Sequence, residues 1–165
     1  MKKQKSKKIG NIVIVVLAVL LVSFVCVRSF WIDWYTVSGD SMHPTYHDGQ
    51  IVFGNKTKQP QRFDVVIVQA DDLVGEDLII KRVVAFEGEK VWTEQGVLCI
   101  ESNGQTQRYD SEDYGGGVLE HVPAKIKRTT VPQGCVYLLG DNRVTSIDSR
   151  TFGAVSADMI EAVVI

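Results

Sequence analysis

Three segments of the 165-residue chain carry side chains whose types and spacing could do chemistry. They are Ser38-Gly39-Asp40-Ser41-Met42-His43-Pro44-Thr45, the lysine of Leu78-Ile79-Ile80-Lys81-Arg82-Val83-Val84, and the run from Gly140 to Arg150. Ser41 is the candidate nucleophile. Gly39 opens backbone angles closed to other residues, and Pro44 stiffens the exit and pushes His43 towards an extended conformation, which suits a hydroxyl held out on a turn. Taken alone, the octapeptide also reads as an ordinary loop. A serine hydroxyl is a weak nucleophile until a base takes its proton. His43 is too near in sequence to reach back, and His121 stands in an unremarkable Glu-His-Val-Pro context. Lys81 is the better candidate. Strand alternation puts it with Ile79 and Val83 on one face and Arg82 with Ile80 and Val84 on the other. Among such neighbours an ammonium loses hydration, so its pKa falls from about 10.4 by a few units and the neutral amine can accept a proton. An edge lysine that snorkels to water is the competing reading. In isolation the third segment reads equally as an Asx-type turn with surface ion pairs.

The elements that must position these groups begin with an anchor. Lys2, Lys3, Lys5, Lys7 and Lys8 form a basic tail over residues 1–8, and residues 9–28 hold a run, Ile9 to Val27, of 19 residues without charge. That is long enough to cross a bilayer as a helix. A cleaved secretory leader also starts basic and continues apolar, but no small-x-small exit precedes Arg28, so an uncleaved anchor is expected. Basic residues stay in the cytoplasm, which puts residues 29–165 outside and Trp31, Trp34 and Tyr35 at the outer interface. Setting aside those five lysines leaves 13 of the 18 basic residues against 20 acidic ones, about −7 for residues 9–165. An acidic body argues against nucleic acid.

Beyond the anchor the pattern favours strands at Gln50–Phe53, Phe63–Val68, Leu78–Ile80, Val97–Glu101, Gln107–Tyr109 and Val136–Leu139. Asp48-Gly49, Gln95-Gly96 and Asn103-Gly104 are hairpin-type pairs between them. Ser156–Val164 alone hints at a helical period, and Thr106–Gly117 reads as a polar surface excursion. The expected fold is mainly β: one antiparallel sheet or partly open barrel behind a single N-terminal transmembrane helix. His43, His47 and His121 lack metal-ligand spacing, so no metal is expected. Cys26 falls in the anchor, and Cys99 and Cys135 read as buried unpaired thiols.

Taken together, these segments resemble the type I signal peptidases, membrane-anchored serine peptidases with a Ser/Lys dyad. The resemblance rests on the anchor, Gly39–Thr45, Asp48–Val52, Arg62–Val66, Lys81–Val84 and Gly140–Arg150, in family order. It implies that Ser41 is the nucleophile and Lys81 the general base. It casts Ser146 as a hydroxyl bonded to the lysine amine, Asp148 with Arg150 as a supporting ion pair, and Asp141 with Arg143 as a brace for the turn. Gly39 stands where some family members carry a hydroxyl that helps the oxyanion. The Ser41 backbone N–H is then one donor, and the second comes from Ser38, another amide or water. Ala85-Phe86-Glu87-Gly88-Glu89 and Phe63, where glycine is usual, depart from the family pattern.

The implied activity is removal of N-terminal signal peptides from secreted preproteins, after small residues one and three positions before the cut. No cofactor is implied. The implied partners are preproteins, membrane lipid and the secretion translocon, and the implied location is the cell membrane, single-pass, with the N-terminus cytoplasmic. Two other readings stay open: a peptidase devoted to one substrate such as a pilin or to itself, and a tethered β domain that binds exported chains without cutting them.

Overall fold

The structure, a computed structural model, describes residues 2–29, 31–109 and 125–165, and within the first helix the side chains of residues 11 and 13–26. The basic-tail side chains, His121 and residues 110–117 of the polar excursion lie outside the described residues. Two compact units divide the chain, residues 1–33 and 34–165.

The first unit holds α1 (Lys2–Ser29). Val, Ile and Leu predominate along it, and Val13 to Val25 are exposed wherever they are large and apolar. β-branched residues lower helix propensity only slightly, and a helix satisfies its backbone groups within the segment. Among the described residues no helix is long and apolar enough to cross a membrane.

The second unit is built from antiparallel sheet. Its strands are β1 (Ile32–Thr36, entering this unit at Trp34), β2 (Ile51–Asn55), β3 (Val65–Gln69), β4 (Leu78–Phe86), β5 (Lys90–Glu94), β6 (Val97–Ser102), β7 (Gln105–Tyr109), β8 (Thr129–Thr130), β9 (Cys135–Leu139), β10 (Val155–Ser156) and β11 (Ile160–Val164). Two short helices, α2 (Asp71–Val74) and α3 (Ser149–Phe152), cover turns. Seven strands form one sheet in the order β1-β2-β11-β3-β4-β9-β10, and four form a second in the order β7-β6-β5-β8. The mainly β, antiparallel fold expected from sequence is present, divided between these two sheets.

Central strands carry apolar residues on both faces because both faces are covered. Val65 and Ile67 pack with Val37, Met42, Val52 and Ile80, while Val66 and Val68 pack with Ile79, Val83 and Leu138. Burying each such side chain contributes about 1.5–3 kcal/mol. A third cluster, with Val91, Leu98 and Ile100 of the smaller sheet, takes in Val84, Ala85 and Leu139. Two hairpins turn on pairs with both φ values positive, Gln95-Gly96 at 53° and 83° and Asn103-Gly104 at 54° and 76°. That geometry gives the twist that adjacent strands need.

Ser156–Val164 is not an α-helix. A 3₁₀ turn over Ala157–Met159 leads into β11, which pairs with β2 on one side and β3 on the other, so long-range pairing overrides a weak local period. The start of the supposed polar excursion, Thr106–Tyr109, belongs to β7 and pairs with β6. One register matters for function. β3 accompanies β4 from Leu78 to Arg82, whereas β9 pairs with β4 between Arg82 and Phe86, so one edge of Leu78–Lys81 has no strand partner among the described residues.

Candidate active site

Ser41 lies on the loop between β1 and β2, and the loop is pinned at its base. Val37 N–H donates to the Gln50 carbonyl at 2.8 Å and Gly49 N–H to the Val37 carbonyl at 2.9 Å. Gly39 sits at φ +74°, a conformation costly for a side chain, and its N–H donates to Asp48 Oδ1 at 2.8 Å. Met42 is fully buried in the Val37–Ile80 cluster and fixes the residue beside the serine. His43 N–H donates to the Asp40 carbonyl, Tyr46 N–H to the Met42 carbonyl, and the His43–Pro44 peptide is cis.

Lys81 reaches this loop from β4. Its Nζ lies 2.8 Å from Ser41 Oγ and donates a further bond to the Ile80 carbonyl at 2.9 Å. The side chain is 3% exposed, with Ile79 and Val83 on its own face of the strand. Burial pushes the amine down to about 8, against the opposing fields of Asp148, Glu76 and Asp141. Among the described residues no carboxylate forms an ion pair with it. About a tenth of the amine is then neutral at pH 7 and about half at pH 8, and in contact with a hydroxyl that neutral form can take the proton.

The Gly140–Arg150 segment holds the two strand ends together. Asn142 N–H donates to the Ser41 carbonyl at 3.0 Å. Gly140 has no side chain because a Cβ there would come within 2.5 Å of that carbonyl oxygen and 2.1 Å of Ser146 Oγ. Asp148 is fully buried, accepts from Gly140 N–H at 2.9 Å, caps α3, and takes two bonds from Arg150 at 2.7 Å. Arg150 also donates to the carbonyls of Arg143 and Ser146.

Two expected contacts differ. The Ser146 hydroxyl is buried without a hydrogen-bond partner, so it does not hold the lysine amine; Lys81 bonds Ser41 and the Ile80 carbonyl instead. The Asp141 carboxylate goes not to Arg143 but to Arg82, with Nε at 2.8 Å and a terminal nitrogen at 2.6 Å, and accepts from Thr45 Oγ1 at 2.5 Å. Arg143 meets Asp141 through its backbone N–H, 3.0 Å from the Asp141 carbonyl. This Arg82–Asp141–Thr45 link ties the serine loop to β4, and alternation along the strand signals only that Arg82 lies opposite Lys81.

Ser41 and Lys81 border a cleft of about 270 Å³. It is lined by residues 34–38 where the chain enters the serine loop and by Glu76 and Leu78–Ile80 where it leads to Lys81. Trp34 is 63% exposed, and Tyr35 packs against the Val37–Ile80 cluster. Glu76 had no signal in the sequence, because nothing local distinguishes it from any loop carboxylate. Among the described residues no group of His, Cys, Asp and Glu could hold a metal ion.

A hydroxyl and a buried amine meeting at the end of a cleft in an antiparallel β scaffold are the equipment of a serine peptidase of the Ser/Lys kind. Comparison with known proteins agrees. Residues 8–165 match the family described as signal peptidase, peptidase S26, and the chain belongs to that family. Signal peptidase I of Bacillus caldolyticus is 32% identical, covering 81% of this chain and 77% of its own. Signal peptidase IB of Staphylococcus aureus strain Mu50 is 33% identical, with 89% and 83% covered. A crystal structure of a signal peptidase I from Enterococcus faecalis V583 superposes with a TM-score of 0.51 and 29% identity, covering 66% of this chain and 98% of that one.

Proposed function

We propose that this chain is a signal peptidase I, an endopeptidase that removes signal peptides from exported preproteins, with Ser41 as nucleophile and Lys81 as general base. The observation that carries the reading is the 2.8 Å contact between Lys81 Nζ and Ser41 Oγ, made by an amine that burial brings to about 8. The substrate segment before the cut lies extended in the cleft along the unpartnered edge of Leu78–Lys81, and backbone bonds hold it there. Neutral Lys81 takes the Ser41 proton as Oγ attacks the scissile carbonyl, then delivers it to the departing amine. Water resolves the acyl-enzyme by the same route. Among the described residues the Ser41 backbone N–H has no acceptor, which leaves it free for the oxyanion. Ser38, which also lines the cleft, is the nearest candidate in sequence for a second donor.

The Ile9–Val27 segment is the membrane anchor in this reading, because 19 residues without charge behind five lysines fit a span with its N-terminus in the cytoplasm. Asp148 and Arg150, with Asp141 and Arg143, act by positioning. Incubating the detergent-solubilised chain with one preprotein, and comparing it with Ser41→Ala and Lys81→Ala by mass analysis, tests the activity. A single cut after a small residue, lost in both variants, is expected. Full processing by Lys81→Ala would overturn the assigned base.

A further inference from the structure

The proton-transfer scheme leaves one cleft carboxylate unused. Glu76 follows Gly75, which ends α2 in the left-handed region at φ +73°, and this turn sets it on the wall of the cleft two residues before Leu78. Among the described residues no hydrogen bond or ion pair engages its carboxylate. Asp71, Asp72 and Asp77 stand near it in the chain and add negative charge, and Lys81 feels the Glu76 field. The cleft is also lined by Trp34, whose exposed ring can cover an aliphatic stem.

We infer that Glu76 is a specificity-determining residue, and that the cleft favours substrates bearing a lysine or arginine four to six positions before the cut. The inference rests on the proposed peptidase activity. Glu76 is exposed at the rim of the cleft, so its carboxylate attracts a cation and repels a carboxylate with the modest strength of a surface charge. Position follows from strand geometry. Leu78 lies three steps along the strand before Lys81, about 10 Å at 3.3 Å each, and Glu76 two further back, so Glu76 meets a substrate residue more than three positions from the scissile bond. Side chains of a docked strand alternate, so one position in this window should dominate.

The test uses the full chain in detergent and a peptide series that differs only in placing Ala, Lys or Glu at each of these positions in turn. At one position wild type should show a KM for the Lys peptide about fivefold below that for Ala, the upper range for a partly exposed pair, with kcat unchanged. The Glu peptide should bind worse than Ala. Glu76→Gln should abolish the difference, and Glu76→Lys should invert it in favour of the Glu peptide, with urea midpoints checking that both variants fold. Equal KM values for Ala, Lys and Glu at every position would overturn the inference, as would a Lys preference that survives Glu76→Lys. Both results leave Ser41-dependent cleavage standing. Failure of wild type to cut any peptide would overturn the peptidase reading and this inference with it.

Discussion

Lys81 and Arg82 are consecutive on β4, point to opposite faces, and are buried to 3% and 6% exposure, yet the protein treats them in opposite ways. Arg82 receives the paired oxygens of Asp141 and the Phe63 carbonyl at 2.7 Å, so its charge is matched. Lys81 receives a hydroxyl and one carbonyl and no carboxylate, so its charge is costly and its amine comes down to about 8. A carboxylate meets the permanent cation that holds two segments together, and none bonds the amine that the proposed mechanism requires to be neutral. Asp148 could have served Lys81, but it is committed to Arg150 and Gly140 N–H.

The largest effect should come from removing the amine. Lys81→Met should lower kcat/KM by on the order of 10³-fold or more, because proton transfer at the serine loses its acceptor. Wild-type kcat/KM should rise tenfold per pH unit below about 8 and level off above it, as the neutral amine accumulates. A flat profile from pH 6 to 9 would remove the distinction between the two cations.

Removing the carboxylate from Arg82 should act on stability. Asp141→Asn leaves a buried guanidinium half-matched and should cost about 3–5 kcal/mol by urea denaturation. The double variant Arg82→Met/Asp141→Leu should recover much of that loss, because it removes both buried charges together. If the double variant were as unstable as the single, the pair would be contributing something beyond mutual neutralisation.

Stability should answer oppositely at Lys81. Its folded pKa is about 8 against 10.5 for an ordinary lysine. Between those values the unfolded chain holds the proton that the folded chain has lost, so stability rises with pH across that window. Below about 8 both states are protonated and the full penalty stands, about 3 kcal/mol for a shift of this size. Lys81→Met should therefore be more stable than wild type at pH 7, by up to about 3 kcal/mol, and lose that advantage towards pH 10.5. Parallel urea titrations at pH 7 and pH 10 check the sign.

Much of this was readable beforehand, and the limit is physical. Ser41, Lys81 and the Gly140–Arg150 segment declare themselves because loop chemistry and a lysine inside an apolar strand are local signals. Gln95-Gly96 and Asn103-Gly104 named their turns for the same reason. What stayed hidden depends on what lies across the sheet. β11 takes its form from β2 and β3, Arg82 finds Asp141 59 residues away, and Glu76 shares a cleft with residues 34–38, roughly forty positions back in the chain, which no local pattern announces. Ser146 shows the converse, since a motif implied a contact with Lys81 that the packing around Gly140 does not make.

The smallest predicted effect tests the Arg82 side alone. Phe63 occupies φ +69°, a left-handed conformation that strains a bulky residue, and its carbonyl accepts from Arg82. Its ring meets Tyr109 edge-on with centroids 5.0 Å apart, which is what the strain is exchanged for. Phe63→Ala loses the ring contact and keeps the strain, whereas Phe63→Gly loses the contact and relieves the strain. Gly should therefore be more stable than Ala by about 1 kcal/mol, reversing their usual order. Neither change touches Lys81, so the pH at which activity levels off should stay near 8 in both. A shifted midpoint in Phe63→Ala would mean that the seat of Arg82 and the environment of Lys81 are coupled through the strand they share.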